Sequence, residues 1–403
     1  MNINKQFLLS KLKWSALLGL VVFAFWFGIN YEKVNQLAGT SEKITLVKVA
    51  KNQVINALDL KKLLDEKDVF VINVHTPYEG EIPKTDIFVP YDELIANQAK
   101  LPNNKSTQII VYCKSGNMSG AAVKTLNDLG YKNVKHLDGG MEAWQKSNLG
   151  LLDLNSLPAK VLPESGFELP IVWGKMGPEL IKLGVIDLQK FEKLVQMTDD
   201  EKKILTQGSN EKIIINSRNS QFVVDILWAY GLAQKSAVYD EGPMGKEYKK
   251  DAGSFASTGG WSLAKGNAMD HYNKHNLIAL SDEQHQRIMA ITKGIYRPCC
   301  GNPTSFPDCN HGMAALAAVE LMVKAGLTDD EIYNNVLKLN SFWFGSTYMA
   351  TATYFARQGT PWESVDAKEV LSQKYSSSKG AAEITKLVGD LPFQKPSAGG
   401  CGA

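Results

Sequence analysis

Strand-like and helix-like segments alternate between residues 42 and 150, and this alternation limits the possible folds more than any other feature of the chain. Short apolar runs predict strands, and longer segments with apolar residues on one face predict helices between them. Strands that are separated by helices form βαβ units, so we expect a parallel α/β sheet flanked by helices. The predicted strands are Ile44–Val49, Val69–Val74, Gln108–Cys113 and Val134–Leu137, and the predicted helices are Leu58–Glu66, Tyr91–Ala99, Ser119–Leu129 and Met141–Lys146.

A cysteine lies at the end of the third predicted strand. Cys113 is followed by a short polar loop, and Ser119 is placed to cap the next helix. Ligands of parallel sheets bind beyond the carboxyl ends of the strands, where this cysteine lies. Backbone amides and the positive end of a helix dipole stabilise an anion there, such as a thiolate. Because the loop is polar except for Met118, it offers little apolar packing, and we predict a reactive thiol.

Three segments around this cysteine follow one another in a distinctive order. Residues 69–77 read Val-Phe-Val-Ile-Asn-Val-His-Thr-Pro, residues 113–119 read Cys-Lys-Ser-Gly-Asn-Met-Ser, and residues 134–144 read Val-Lys-His-Leu-Asp-Gly-Gly-Met-Glu-Ala-Trp. In this order they resemble the early strand and turn, the active-site loop, and the closing strand with its Gly-Gly turn in rhodanese sulfurtransferases. The resemblance covers roughly residues 42–150, and we find no such resemblance for residues 170–403.

The resemblance implies an activity and a set of site residues. The Cys113 thiolate would accept sulfane sulfur from a donor such as thiosulfate, a polysulfide or a persulfide, and a thiol acceptor would then remove it. This chemistry requires no cofactor, but it requires N–H donors for the persulfide anion. We expect the anion-binding loop to consist of Lys114, Ser115, Gly116, Asn117, Met118 and Ser119.

Three residues differ from the usual rhodanese pattern, one in the loop and two in the early turn. Met118 stands where many members have arginine late in the loop, and Asn73 and His75 stand where the early turn usually has Asp-x-Arg. A guanidinium group binds sulfur oxyanions well, and methionine does not. We therefore expect Asn73 and His75 to support the site, and a donor that carries less charge than thiosulfate. A domain that binds without turnover is the alternative.

A second group of soft ligands falls within residues 299–311, in a loop rich in Gly, Pro and Asn: Cys299, Cys300, Cys309 and His311. One interpretation is a disulfide from Cys309 to Cys299 or Cys300, which is typical of proteins outside the cytoplasm. A second is a zinc or copper(I) site formed by all four residues. A third is a redox-active or sulfur-accepting set of thiols. The spacing leaves all three open.

Two further residues belong to these alternatives. Cys401 lies in a glycine-rich tail, where its thiol can relay sulfur or electrons, pair with Cys299 or Cys300, or stay unpaired. His136 lies in a predicted strand beside the Gly-Gly turn, and we interpret it as a structural residue.

The N-terminal segment differs from the rest of the chain. Residues 1–13 carry lysines, and Trp14–Ile29 contains no charged residue. This pattern predicts a cytoplasmic N-terminus, a transmembrane anchor at residues 14–30 and a linker at residues 31–41. We therefore expect a single-pass protein of the cell membrane whose main body is extracytoplasmic. A cleaved signal peptide, giving a secreted protein, is the alternative.

The remainder of the chain is mainly helical by its pattern. We predict a linker at residues 151–169, a helical domain with the cysteine and histidine cluster at residues 170–392, and a flexible tail at residues 393–403. Ile213–Ile215 predicts a lone strand. Three helix starts have the capping-box pattern, at Thr198, Ser281 and Thr328.

The charge composition excludes nucleic acid as a partner, and two functional hypotheses remain for the chain. Lysine and arginine total 44 against 42 aspartate and glutamate, so no charge bias indicates nucleic acid. The leading hypothesis is a membrane-anchored sulfurtransferase that works through a Cys113 persulfide. The alternative is a non-catalytic metal-binding or redox sensor protein that uses Cys299, Cys300, Cys309 and His311.

Overall fold

The computed structural model of the protein describes residues 49–66, 68–389 and 391. Its first part is a parallel five-stranded sheet flanked by helices, as the alternating pattern predicts. The strands are β1 (Val54–Ile55), β2 (Phe70–Asn73), β3 (Ile87–Phe88), β4 (Gln108–Tyr112) and β5 (Asn133–Leu137), and the helices are α1 (Ala57–Glu66), α2 (Asn117–Asp128) and α3 (Gly140–Lys146). Their order in the sheet is β1-β5-β4-β2-β3.

The central strand β4 is apolar on both faces because helices cover both faces of the sheet. Ile109 and Val111 pack in one apolar cluster with α2, and Ile110 and Tyr112 pack in another with α1 and α3. Tyr112 pairs with Asn73 of β2 in the ladder. The carboxyl ends of β2, β4 and β5 consequently meet at one edge of the sheet.

Three local predictions in this part are wrong. Residues 91–97 form turns and Gln98–Lys100 a 3-10 helix in place of the predicted helix Tyr91–Ala99. The Asn97 and Gln98 side chains donate to the Glu93 and Ile95 carbonyls, and such local bonds compete with a regular helix. Helix α2 begins at Asn117, so Ser119 lies inside its first turn and is not the cap. Strand β4 ends at Tyr112, one residue before Cys113.

Residues 151–169, which we predict as a linker, pack into the body of the protein. Leu152 N–H donates to the Glu81 carbonyl at 2.7 Å, and Leu154 and Val161 are fully buried. A short helix, α4 (Leu157–Val161), follows this contact. The sequence does not reveal this helix, because five residues form too few turns to show a helical period.

The second part is mainly helical, as predicted, with one two-stranded antiparallel sheet. The strands are β6 (Phe167–Gly174) and β7 (Ser209–Ile215). The further helices are α5 (Met176–Leu183), α6 (Leu188–Leu194), α7 (Asp199–Gln207), α8 (Ser220–Ala233), α9 (Ala237–Glu241), α10 (Pro243–Lys246), α11 (Asp282–Thr292), α12 (Asn310–Lys324), α13 (Asp329–Trp343), α14 (Gly345–Arg357), α15 (Ala367–Val370), α16 (Gln373–Ser376) and α17 (Ser378–Val388).

The helix starts in this part agree with the sequence patterns, but the prediction of a lone strand at Ile213–Ile215 is wrong, because this strand has a partner. Thr198, Ser281 and Thr328 each form a complete capping box. Strand β7 pairs with β6, with Phe167 opposite Ile215. The pairing was not predicted because β6 begins in the segment predicted as a linker and continues into the region predicted as helical.

A buried ion pair joins the two parts. Arg357, the last residue of α14, makes two hydrogen bonds to Glu81, at 2.9 and 2.8 Å. Arg357 Nη1 also donates to the carbonyls of Asp86 and Val388. The guanidinium group therefore ties the segment between β2 and β3 to the ends of α14 and α17.

No helix within the described residues is long and apolar enough to cross a membrane. The predicted anchor at residues 14–30, its flanks at 1–13 and 31–41, the first predicted strand apart from Val49, and the tail with Cys401 lie outside the described residues.

Candidate functional site

Cys113 directly follows β4 and lies beneath the loop that leads into α2. Its Sγ accepts hydrogen bonds from the Gly116 amide at 3.1 Å and from the Ser119 amide at 3.4 Å. The first turn of α2 consists of Asn117, Met118 and Ser119. The N–H groups of a first helical turn have no partner within the helix. The sulfur therefore faces amide hydrogens at the positive end of a helix, which stabilises an anion.

The start of α3 holds this loop from behind. Met141 N–H donates to the Cys113 carbonyl at 2.9 Å, and Glu142 N–H donates to the Lys114 carbonyl at 3.0 Å. Gly140 allows this close approach, since a Cβ there would lie 2.2 Å from the Cys113 oxygen, and its φ is +56°. The Gly-Gly turn thus positions the loop, and at Gly116 the loop itself takes a φ of +103°.

The expectation that Cys113 lacks apolar packing is wrong. The residue is 1% exposed and belongs to the apolar cluster that includes Val74 and Val111. Met118, which is half-buried, packs against the same cluster. The sulfur therefore has an apolar side towards the sheet and a polar side towards the loop amides.

Ser119 and His136 extend the polar side. Ser119 Oγ lies 3.5 Å from Cys113 Sγ, 3.3 Å from His136 Nδ1 and 3.0 Å from the Gly116 carbonyl, to which it donates. Burial lowers the pKa of His136, with Asp138 opposing the shift. Sequence reasoning assigned His136 a structural role. The signal that could have placed His136 beside the site is the parallel pairing of β5 with β4. This pairing sets His136 opposite Val111, two residues before Cys113.

Lys114 forms an ion pair with Glu79. Its Nζ lies 2.7 Å from Glu79 Oε2, and this carboxylate raises the pKa of the Lys114 ammonium. His75 Nε2 lies 3.5 Å from the other Glu79 oxygen. Glu79, which the sequence analysis missed, thus joins Lys114 and the early turn.

Asn73 shapes the early turn. Its Nδ2 donates to the Gly80 carbonyl at 2.8 Å, and its Oδ1 accepts the His75 amide at 3.0 Å. Both hydrogen bonds stay within the turn after β2. Ser115, in the loop, and Asn117, the first residue of α2, are exposed.

The second predicted cluster brings three thiols together. Cys299, Cys300 and Cys309 are free and half-buried, and their Sγ atoms lie within 4.8 Å of one another. The Cys299 and Cys309 sulfurs are 3.4 Å apart. Cys309 is also the N-cap of α12 and accepts the Gly312 amide at 3.3 Å.

A buried arginine organises this loop. Arg297 Nε donates to Cys309 Sγ at 3.1 Å, and Arg297 Nη2 donates to Asp308 Oδ1 at 2.8 Å. Gly312 packs closely against the guanidinium group, since a Cβ at Gly312 would lie 2.4 Å from Arg297 Cζ. Hydrogen bonds from the two other thiols and the charge of Arg297 hold the pKa of Cys309 well below its usual range.

His311 does not join the three thiols, contrary to the four-ligand prediction. Its ring packs against Phe344, with centroids 4.6 Å apart, and against Trp343. Burial lowers the pKa of His311 to about 4. The histidine is therefore an uncharged core residue.

Comparisons with known proteins agree with the first part of the fold. The family model of the rhodanese-like domain matches residues 56–147. A sulfurtransferase of Allochromatium vinosum is 30% identical over 95 residues, which are 23% of this chain and 86% of that protein. An uncharacterized protein of Synechocystis sp. is 28% identical over 113 residues, 28% of this chain and 62% of that protein, so the chain spans less than two thirds of its length.

One solved structure of a rhodanese-related protein, from Thermoplasma volcanium, is 31% identical, with a TM-score of 0.22; the match covers 25% of this chain and 96% of that one. The matched domain and its sulfurtransferase relatives support a sulfurtransferase-type function. Through residues 56–147, the chain belongs to the rhodanese-like family.

Proposed function

We propose that this protein transfers sulfane sulfur through a persulfide on Cys113. The observation that carries the proposal is the position of the Cys113 sulfur. It accepts hydrogen bonds from two backbone amides, those of Gly116 and Ser119, at the start of α2. Those amides are fixed before any substrate arrives, because the start of α3 holds the loop. Preorganised donors of this kind stabilise a charge without reorganisation during the reaction.

The reaction has two displacement steps. The Cys113 thiolate attacks the outer sulfur of the donor, the donor S–S bond breaks, and its electron pair leaves with the departing group, which is sulfite when the donor is thiosulfate. An acceptor thiolate then attacks the terminal sulfur of the persulfide, a new S–S bond forms, and Cys113 leaves as a thiolate. No net oxidation or reduction occurs, and no cofactor is required.

The surroundings of Cys113 favour a small donor of low charge. The thiol is almost wholly buried, and Lys114 is paired with Glu79 rather than free to bind an oxyanion. Met118 supplies an apolar surface beside the loop. We therefore infer that a polysulfide or a persulfide reacts faster than thiosulfate.

The placement of the protein is a separate proposal. The apolar segment at residues 14–30, with lysines before it, is the basis for an uncleaved anchor that places the main body outside the cytoplasm. Intact mass of the membrane-extracted protein, together with protease access from each side, tests this. Recovery of a soluble protein that lacks these residues would instead favour a cleaved signal peptide.

The activity is tested with the full chain and with Cys113→Ser. We expect the wild type to gain the mass of one sulfur atom on Cys113 after exposure to polysulfide, and to release it as thiocyanate on addition of cyanide. Cys113→Ser should show neither, while its circular dichroism spectrum and melting temperature stay close to the wild type. Turnover that survives this substitution would disprove the proposal, and persulfide-free Cys113 after exposure would favour a binding domain.

A further inference from the structure

The loop between α11 and α12 places three thiols where a single metal ion can touch all of them. The sulfurs of Cys299, Cys300 and Cys309 lie within 4.8 Å of one another. Three sulfurs bound to one ion at about 2.3 Å are roughly 4 Å apart in a trigonal arrangement. The observed spacing therefore fits a common metal ion.

We propose that Cys299, Cys300 and Cys309 bind a soft, closed-shell metal ion, copper(I) or zinc(II), through three thiolates. None of these three cysteines contacts the Cys113 sulfur in the bonds described above. Thiolate-rich ligand sets select these ions over magnesium, calcium and manganese.

The third cysteine distinguishes this site from a disulfide. A disulfide between Cys299 and Cys309, the pair at 3.4 Å, would use two of the three sulfurs. Cys300 would then have no function in the cluster, although its sulfur lies within reach of both others. A metal ion accounts for the convergence of all three.

Arg297 supplies the support that a thiolate site requires. Its Nε donates to Cys309 Sγ, and the Gly312 amide donates to the same sulfur. Hydrogen bonds from outside the ligand set orient metal ligands and offset their charge. The other guanidinium nitrogens bind the carbonyls of Asn302 and Phe306, which fixes the loop before an ion arrives.

The number of ligands favours copper(I) over zinc. His311, the residue that could complete a four-ligand zinc site, packs against aromatic rings and lies outside the group of donor atoms. Structural zinc sites take four protein ligands, whereas the described part of the chain brings three soft thiolates together, which suits copper(I). With these three ligands, zinc would need a further ligand such as a water molecule.

The experiment uses the full chain, reduced and kept under anaerobic conditions. Copper(I) is titrated against a competing copper(I) chelator, and zinc(II) is titrated in parallel against a chromophoric chelator. The variant is Cys300→Ser, which leaves the 3.4 Å pair intact, and the matched control is Cys113→Ser, whose sulfur lies outside the group of three thiols. X-ray absorption spectroscopy of the metal-loaded wild type counts the sulfur ligands.

We expect one ion per chain, bound through three sulfurs by the wild type and equally well by Cys113→Ser. Cys300→Ser should weaken binding at least about 100-fold, since loss of a mere supporting partner already costs 10- to 100-fold. The relative affinities for copper(I) and zinc distinguish the two ions. Equal affinity of Cys300→Ser and wild type, or two sulfurs in the spectrum, would refute the site. If Cys300→Ser does not fold, the sulfur count of the wild type decides.

Discussion

Cys113 combines burial with polar contacts. Its side chain is buried in an apolar cluster, while its sulfur accepts hydrogen bonds from the amides of Gly116 and of Ser119 in the first turn of α2. Ser119 adds a hydroxyl whose oxygen lies within 3.5 Å of three polar atoms: the Gly116 carbonyl oxygen, His136 Nδ1 and Cys113 Sγ. The hydroxyl can therefore turn towards the sulfur when a persulfide forms.

Ser119→Ala should slow sulfur transfer about 10-fold. The expected loss corresponds to one hydrogen bond to a charged group, worth roughly 1.5 kcal/mol. Single-turnover transfer from a pre-formed persulfide to cyanide measures it. The control is Ser106→Ala, an exposed serine of the same domain, which should transfer sulfur at the wild-type rate. Equal rates for both variants would show that the hydroxyl does not contribute.

Glu320 gives a prediction about pH. This residue of α12 is fully buried, and burial raises its pKa to about 8 from 4.5, with Ser236 opposing the shift. Between these values the folded state binds more protons than the unfolded state, so the free energy of unfolding falls as pH rises. The stabilisation is complete below pH 4.5 and is lost as pH approaches 8.

Glu320→Gln should remove this decrease. At pH 8 we expect the variant to be more stable than the wild type by a few kcal/mol, since each pKa unit is worth about 1.4 kcal/mol. Urea unfolding at several pH values measures the difference. The exposed Glu211→Gln controls for loss of a surface charge. Parallel pH profiles for wild type and Glu320→Gln would contradict the prediction.

At the scale of elements, the start of α3 determines the shape of the Cys113 loop. Gly140→Ala would place a methyl group against the Cys113 carbonyl, at 2.2 Å, and strain a backbone with φ +56°. We expect a loss of about 1–3 kcal/mol in stability, typical of overpacking, together with slower sulfur transfer because the amides around the sulfur move. Chemical unfolding and persulfide formation measure the two effects.

Gly150→Ala is the matched control for that substitution. Among the described residues, none has an atom within 4 Å of a Cβ built at Gly150, so the change should leave stability and transfer close to the wild type. If Gly140→Ala transfers sulfur as fast as this control, the contact between α3 and the loop does not position the site.

At the scale of the whole molecule, Arg357 and Glu81 join the two parts. Both side chains are buried, and they are 276 positions apart in the sequence. Arg357→Leu leaves the Glu81 carboxylate buried without its partner and should cost about 3–5 kcal/mol. Urea denaturation measures the loss, and the double variant with Glu81→Leu should recover part of it.

The exposed pair of Lys160 and Glu363 is the control, where Lys160→Ala should cost less than about 1 kcal/mol. A cost for Arg357→Leu no larger than this control would show that the ion pair does not hold the two parts together.

The sequence by itself determined the features that depend on local patterns. The parallel α/β order, the capping boxes at Thr198, Ser281 and Thr328, and the position of Cys113 after a buried strand follow from periodicity and residue type over a few neighbours. The turns at residues 91–97 were missed because local side-chain bonds outweighed a weak helical period.

Only the tertiary structure decided which distant residues meet. The burial of Cys113, the contact of Ser119 with His136, and the exclusion of His311 from the three thiols depend on how strands and helices pack. The same holds for the pairing of Arg357 with Glu81. Sequence spacing carries no information about such contacts, because packing brings residues together through the whole fold rather than through the intervening chain.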